Sequence, residues 1–352
     1  MSESTWMVAP LADRLESADV LAAVSDSLPG NEVTRKTGDY WRWKHVNTPF
    51  GRSTGTVALS DVGEEVVGVR SFMRWTLSRP TPGAGTGTLG AVRAVDTVTN
   101  DAWRGKGIFK RLTFAAIEDL EREGVDLIFN TPNQNSAPGY LKMGWQCVGA
   151  VPLFIRPVRP LRMALRVLRR KSAPAPTWSA SEFKGLPLWR DVPDLDAVLA
   201  LVRSHEAARA ATGLRTPRTA EYLAWRYGAH PQAEYRVYLH REAGRLVGAA
   251  VLRANVRLGL KELVLTELWA EGADSVRLKQ VVQGVCAATD CDHVMAHFAA
   301  GSVELAAIRR CFFLPVRQQK MRLFARGLGK PLPADVFSMT GWDLSLGDLE
   351  LF

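Results

Sequence analysis

Val95-Asp96-Thr97-Val98-Thr99-Asn100-Asp101-Ala102-Trp103-Arg104-Gly105-Lys106-Gly107-Ile108-Phe109-Lys110-Arg111-Leu112 is the stretch from which the rest of the chain can be understood. A strand predicted over Gly90–Thr99 runs into a short polar loop with two glycines. An amphipathic helix over Ile108–Glu123 follows, with Leu112, Ala115, Ala116 and Leu120 on one face. Glycines let the backbone approach a ligand closely. The first-turn N–H groups of a helix point outward, with the positive end of its dipole behind them. Lys106, Lys110 and Arg111 add positive charge there, so the loop reads as an anion site suited to a pyrophosphate.

The dinucleotide fingerprint G-x-G-x-x-G and the phosphate loop G-x-x-x-x-G-K-[ST] are not spelled. What is spelled resembles the acetyl-CoA signature R/Q-x-x-G-x-G/A of the GCN5-related N-acetyltransferase superfamily, with Arg104 and Gly107 in its first two fixed places and Phe109 where the family most often has Gly or Ala. A second segment, Phe129-Asn130-Thr131-Pro132-Asn133-Gln134-Asn135-Ser136-Ala137-Pro138-Gly139-Tyr140-Leu141-Lys142-Met143-Gly144-Trp145, resembles the family's exit from the fifth strand and its following helix.

The resemblance implies a transferase in which an amine attacks a thioester carbonyl. Such a site needs an oxyanion donor, a route for the amine's proton and an acid for the departing thiolate. By the resemblance, Thr97, Val98 and Thr99 lie against the acetyl group, and the amides of Gly105, Lys106, Gly107, Ile108, Phe109 and Lys110, with Arg104, hold the pyrophosphate of acetyl-CoA as co-substrate. It also implies that Asn133 contacts the pantetheine arm or the turn bearing Tyr140, whose phenol protonates the thiolate. Tyr140 as a core residue and Asn133 as a turn residue are the structural alternatives. For the general base, Asp96 is a carboxylate in an apolar strand. Strand alternation puts it on a different face from Thr97 and Thr99, and burial is expected to raise its pKa toward a useful value. Water, or carboxylates of the last segment (Asp348, Glu350 or that of Phe352), are the other candidates. No metal is expected.

The chain has 352 residues, 45 Lys and Arg against 36 acidic residues, and a formal charge of +9. Seven basic residues and no acidic one stand between Arg156 and Lys171, leaving +2 for the remainder. Leu161, Ala164, Leu165 and Leu168 give this segment an apolar stripe opposite Arg162, Arg166, Arg169 and Arg170. Docking between domains is the favoured expectation, and contact with an anionic substrate or membrane surface is the alternative. The prolines of Ser172–Ser179 read as a connector. Acidic residues within Met1–Leu21 argue against a targeting peptide, no run approaches a membrane span, and four cysteines without a CxxC pair suit reduced thiols, so a cytoplasmic protein is expected.

The two halves resemble each other. Thr37-Gly38-Asp39-Tyr40-Trp41-Arg42-Trp43-Lys44 is answered by Thr219-Ala220-Glu221-Tyr222-Leu223-Ala224-Trp225-Arg226 at an offset of 182, and Val67-Gly68 by Val247-Gly248 at 180. Strand, helix and strand then follow in both: Gly90–Thr99, Ile108–Glu123 and Val125–Asn130, against Lys261–Ala270, Val276–Thr289 and His293–Ala299. The expected fold class is α/β of the α+β type: two tandem acyl-CoA N-acyltransferase folds, each a mixed, mostly antiparallel sheet flanked by helices. The expected organisation is a catalytic domain over 1–155, a basic helix and linker over 156–180, a degenerate copy over 181–335 and a last segment over 336–352. In the second copy Glu271-Gly272-Ala273-Asp274 replaces the basic loop, and its carboxylates would repel a pyrophosphate. That copy is expected to complete the fold and contribute to the acceptor pocket, with Trp225, Arg226 and Tyr227 as candidates. His293 and His297 on one strand would sit about 13 Å apart, too far to chelate one ion.

The function expected is transfer of acetyl to a primary amine of a small molecule. The alternatives are an aminoacyl-tRNA-dependent transferase of the peptidoglycan type, for which a basic helix would suit nucleic acid, and a non-catalytic CoA-binding or interaction protein. An intact pyrophosphate loop weighs against a nucleic-acid partner.

Overall fold

The computed structural model describes residues 5–28, 30–61, 65–81, 85–169, 174–210, 213–317 and 320–349. The first half contributes β1 (Trp6–Pro10), α1 (Ala18–Ser27), α2 (Gly38–His45), β2 (Thr54–Ser60), β3 (Val66–Thr81), β4 (Gly85–Thr99), α3 (Ile108–Arg122), β5 (Leu127–Asn130), α4 (Ala137–Lys142), β6 (Gln146–Ala150) and β7 (Phe154–Pro157). After the basic helix α5 (Pro160–Arg169), the second half runs through α6 (Leu195–Ala208), α7 (Ala220–Leu223), β8 (Tyr235–Glu242), β9 (Arg245–Arg257), β10 (Leu260–Ala270), α8 (Ser275–Ala288), β11 (His293–Ala296), α9 (Val303–Arg310), β12 (Leu314–Pro315), β13 (Arg322–Gly327) and α10 (Leu346–Leu349). The two halves thus repeat one order of elements, as the offset motifs imply.

Local chemistry explains the equivalence. Thr37 caps α2 by accepting from the Tyr40 amide, and Thr219 caps α7 by accepting from the Tyr222 amide. In α3, Ile108, Leu112, Ala116, Ile117 and Leu120 are buried at helical spacing against the sheet. β10 is buried along its whole length, and its charged residues are buried with partners: Lys261 with Glu182, Glu262 with Asn255 and His293, and Glu267 with Tyr227.

The sheets do not respect the expected division at residue 155. The first has the order β1-β2-β3-β4-β5-β13-β6, and the second β12-β7-β11-β10-β9-β8. Each half lends its last strand to the other: β13 fills the gap between β5 and β6, and β7 fills the gap between β11 and β12. The boundary expected at 155/156 falls inside β7, in the middle of a ladder. Each half leaves a slot in its own sheet whose backbone groups need partners, and the strand that satisfies them comes from the other half.

The motif tryptophans meet across the pseudo-symmetric contact. Trp43 and Trp225 stack at 4.9 Å between ring centroids with 13° between planes. Each indole donates to the other's backbone carbonyl, at 2.9 and 2.8 Å. One core cluster runs through both halves, including Trp75, Phe129, Tyr222, Tyr235 and Trp342. Trp225, Arg226 and Tyr227, expected at an acceptor pocket, are instead buried in this contact. Arg226 donates to the Gly347 carbonyl and the Tyr235 hydroxyl, and Tyr227 donates to Glu267. A shared interior between duplicated halves absorbs aromatic and paired polar groups.

The basic helix is not between the domains. α5 lies against the loop before β11, with Arg162 held by Asp290 and Asp292, both at 2.7 Å, and Arg166 by Asp292 at 2.5 Å. Among the described residues no helix is long and apolar enough to cross a membrane.

Candidate active site

β4 and β5 pair in parallel only at Ala91–Leu127, Val92–Ile128 and Arg93–Phe129. Beyond that β4 continues to Thr99 while β5 ends at Asn130, so a wedge opens between them. It forms a cavity of about 570 Å³ lined by β4 from Arg93 to Thr99, by Asn130 to Asn133, and by Phe109, Gly139 and Tyr140. A volume of this order accommodates an extended small-molecule arm.

A β-bulge shapes the wedge. Arg70 pairs with Thr97 and Ser71 with Val95, leaving Asp96 as the extra residue at φ 41°. The Ser71 hydroxyl fixes it by donating to the carbonyl of Val95 at 2.9 Å and of Asp96 at 3.2 Å. Simple alternation therefore fails at Asp96, which lines the cavity together with Thr97, Val98 and Thr99.

The expected rise of the Asp96 pKa is reversed. Burial alone would raise it, but Lys44 and Lys36 each sit 2.7 Å from its oxygens and His45 Nε2 sits at 2.9 Å. Together they hold the carboxyl well below its usual range. An oxygen so strongly stabilised as an anion is a weak base. The basic member of the cluster is Lys44, brought down to about 7 by complete burial, with Asp96 pulling it up and Lys36 pushing it down. His45, equally buried, is lowered to about 4 by desolvation, against the pull of Asp96. These three partners come from α2 and the loop before it, and nothing in the strand pattern links them to Asp96.

Tyr140 is buried on α4, edge-on to Phe109 with 5.8 Å between centroids, and lines the cavity. Its hydroxyl accepts a hydrogen bond from Arg70 at 2.8 Å. Arg70 also donates to the Thr97 hydroxyl, while its Nε and other terminal nitrogen are buried without a hydrogen-bond partner. Among the described residues no carboxylate pairs with this buried guanidinium, which is a standing positive potential next to the phenol. Neither Arg70 nor Arg93, whose guanidinium supports the carbonyls of Asp348 and Leu349 beside the cavity, is singled out by a sequence motif.

The loop takes the form that its composition calls for. Gly105 and Gly107 adopt φ 79° and 75°, the left-handed region open to glycine, and Gly107 starts α3 with no side-chain cap. Its first-turn amides are thereby left to an external acceptor. Arg104 lines the cavity, and Gly107 and Lys110 line a shallow hollow on the other side of the helix start. Lys106 lies over the Trp103 ring at 4.2 Å. Ile108 is a core residue, packed with Ala58, Val67 and Leu112, so only its backbone faces the loop. Phe109, the departure from the motif, has a physical role: its ring meets Gly139 and Tyr140 and walls the cavity. Asn133 uses its Oδ1 to accept from the amides of Asn135 and Ser136 at 3.0 and 2.9 Å, holding the turn into α4 while lining the cavity.

Among the other candidates, Asp348 is paired with Arg218 at 2.8 Å, whereas Glu350 and Phe352 lie outside the described residues. His293 bonds Glu262 and His297 bonds the Pro152 carbonyl, so each has its own partner.

No protein-family model matches the sequence, and no curated protein matches it. Solved structures do match. A GCN5-related N-acetyltransferase from Kribbella flavida superposes with a TM-score of 0.55 at 16% identity, covering 92% of this chain and 71% of that one. Saccharomyces cerevisiae N-myristoyltransferase with bound myristoyl-CoA superposes with a TM-score of 0.54 at 12% identity, covering 94% of this chain and 86% of that one. At these identities the likeness is one of fold, and the chain has the N-acyltransferase fold of that superfamily.

Proposed function

We propose that the protein is an acyl-CoA-dependent N-acyltransferase that transfers acetyl from acetyl-CoA to a primary amine of a small molecule. The observation that carries this reading is the wedge between β4 and β5, open at an uncapped, glycine-started helix and bordered by a phenol held by a buried guanidinium. The pyrophosphate would lie on the α3 amides beside Arg104 and Lys106. The pantetheine arm would run along Thr97–Thr99, with backbone donors next to the thioester oxygen.

The amine nitrogen forms a bond to the thioester carbonyl carbon, the C–S bond breaks, and the thiolate takes the Tyr140 proton. Arg70 stabilises the negative charge as it moves between sulfur and phenol. The amine's own proton leaves along Asp96 toward Lys44, whose pKa is brought down to about 7 by burial.

The test is calorimetric titration of acetyl-CoA, followed by release of free CoA thiol with a panel of amines. Micromolar binding with amine-dependent thiol release is expected. Absence of heat at millimolar acetyl-CoA would remove the reading.

A further inference from the structure

The orientation of α5 is the reverse of what its composition leads one to expect. Arg162 and Arg166 face the protein, where they engage Asp290 and Asp292, and the apolar stripe faces outward. Leu161 is 83% exposed, Leu165 53% and Leu168 81%. Of eleven large exposed apolar side chains among the described residues, four stand on this one helix, so the stripe is a patch and not scatter.

A second segment extends it. β12 pairs antiparallel with β7 through Leu314–Ile155 and Pro315–Phe154, which carries Phe312 toward the end of β7 from which α5 departs. Phe312 is 80% exposed and held at φ 61°, and Leu314 is 62% exposed. A positive φ at a bulky residue is uncommon, and here it projects an aromatic ring into solvent. Arg156, Arg159, Arg162, Arg166 and Arg169 accompany the first segment, Arg309, Arg310, Arg317 and Lys320 the second, and neither contains an acidic residue. Asp290 and Asp292, from the loop before β11, pair with Arg159, Arg162 and Arg166.

We propose that this face docks on an anionic lipid bilayer, with Leu161, Leu165, Leu168 and Phe312 entering the interface and the exposed Arg309, Arg310, Arg317 and Lys320 meeting lipid phosphates. A leucine stripe rimmed by Arg and Lys is the chemistry of an interfacial helix. A second copy of the chain suits the face poorly, because two-fold pairing would bring one cationic rim against another. The inference does not depend on the catalytic reading.

The test is co-sedimentation of the full chain with vesicles of phosphatidylglycerol and phosphatidylcholine in equal parts, against phosphatidylcholine alone. Binding to the anionic vesicles is expected, weakened by 0.5 M salt and lowered at least about tenfold in Leu161→Asp/Leu168→Asp. Both side chains are exposed, so the variant's melting temperature should match the parent's, and light scattering should give the same mass for both. No sedimentation with anionic vesicles at millimolar lipid would overturn the proposal, as would equal binding by the double variant. A concentration-dependent dimer abolished by the same variant, without vesicle binding, would assign the face to a second copy and overturn it likewise.

Discussion

The two halves carry the same wedge, and only one is open. In the first, β4 parts from β5 around a bulge at Asp96 and encloses about 570 Å³. In the second, β10 bulges at Thr266 and only about 20 Å³ remains at the corresponding wall, lined by Glu267, Leu268, Trp269, Phe298, Leu344 and Ser345. The last two residues show what fills it. Every residue from Gly341 to Leu349 is buried, and Asp343, Leu344 and Ser345 of this segment line what space remains. The helix starts differ in the same sense. Asp274 accepts from the amides of Val276 and Arg277 at 2.9 and 2.8 Å, so α8 is capped by its own carboxylate, whereas α3 starts at a bare glycine. One wedge is thus filled by a segment of the chain beside a helix start capped by its own carboxylate, and the other is open beside an uncapped helix start. The two regions touch, because Arg93 at the first cavity donates to the carbonyls of Asp348 and Leu349.

The contrast can be broken experimentally, and the largest effect is expected at the open helix start. Gly107→Glu should weaken acetyl-CoA binding by at least about 100-fold in calorimetry, because it sets a carboxylate where the amides and helix dipole favour an external anion. No atom lies within 4 Å of the added Cβ, and the strain of a non-glycine residue at φ 75° should cost about 1–2 kcal/mol, so the fold should persist with a lowered melting temperature. Tyr140→Phe should lower turnover about 100-fold while acetyl-CoA affinity changes little, since the phenol acts as acid and not as anchor. Retained turnover would place the acid elsewhere.

In the filled half the expected loss is of stability. Asp348→Ala leaves Arg218 buried without its main partner and should cost about 3–5 kcal/mol in urea unfolding. Acetyl-CoA affinity measured below the transition should be kept.

The Lys44 amine must be unprotonated to accept a proton. Its folded pKa of about 7 therefore makes kcat/KM rise with pH through about 7, and Lys44→Met should remove that limb. A pH profile unchanged in the variant would transfer the role to water.

The smallest effect is at the internal cap. Asp274→Ala should cost about 1 kcal/mol by thermal unfolding and create no acetyl-CoA binding in the second half, since the tethered segment still fills its wedge. A second binding equivalent in calorimetry would show instead that the carboxylate alone keeps that site closed.

Much of this was legible from residues because it rests on local chemistry. The glycines at 105 and 107 announce a left-handed turn, α3 carries its burial in its period, and Thr37 and Thr219 mark equivalent helix starts. The site was legible where it is built from backbone at β4 and the loop. It was not legible at Asp96, where one extra residue in a strand changes the face of everything after it, and where charges from α2, some fifty residues away, set the pKa. Arg70 was equally hidden, since strand pairing alone brings it to Tyr140.

The sequence by itself determined that a strand, a left-handed glycine loop and an amphipathic helix stand within a duplicated α/β chain, because turn conformation and helix polarity are properties of a few neighbouring residues. Tertiary structure decided the rest. Strands exchanged between the sheets, the segment Gly341–Leu349 closed the second wedge, and α5 turned Arg162 and Arg166 inward and its leucines outward. These outcomes depend on which distant groups could satisfy a slot, a cavity or a buried charge, and residues far apart in the chain meet only after it has folded.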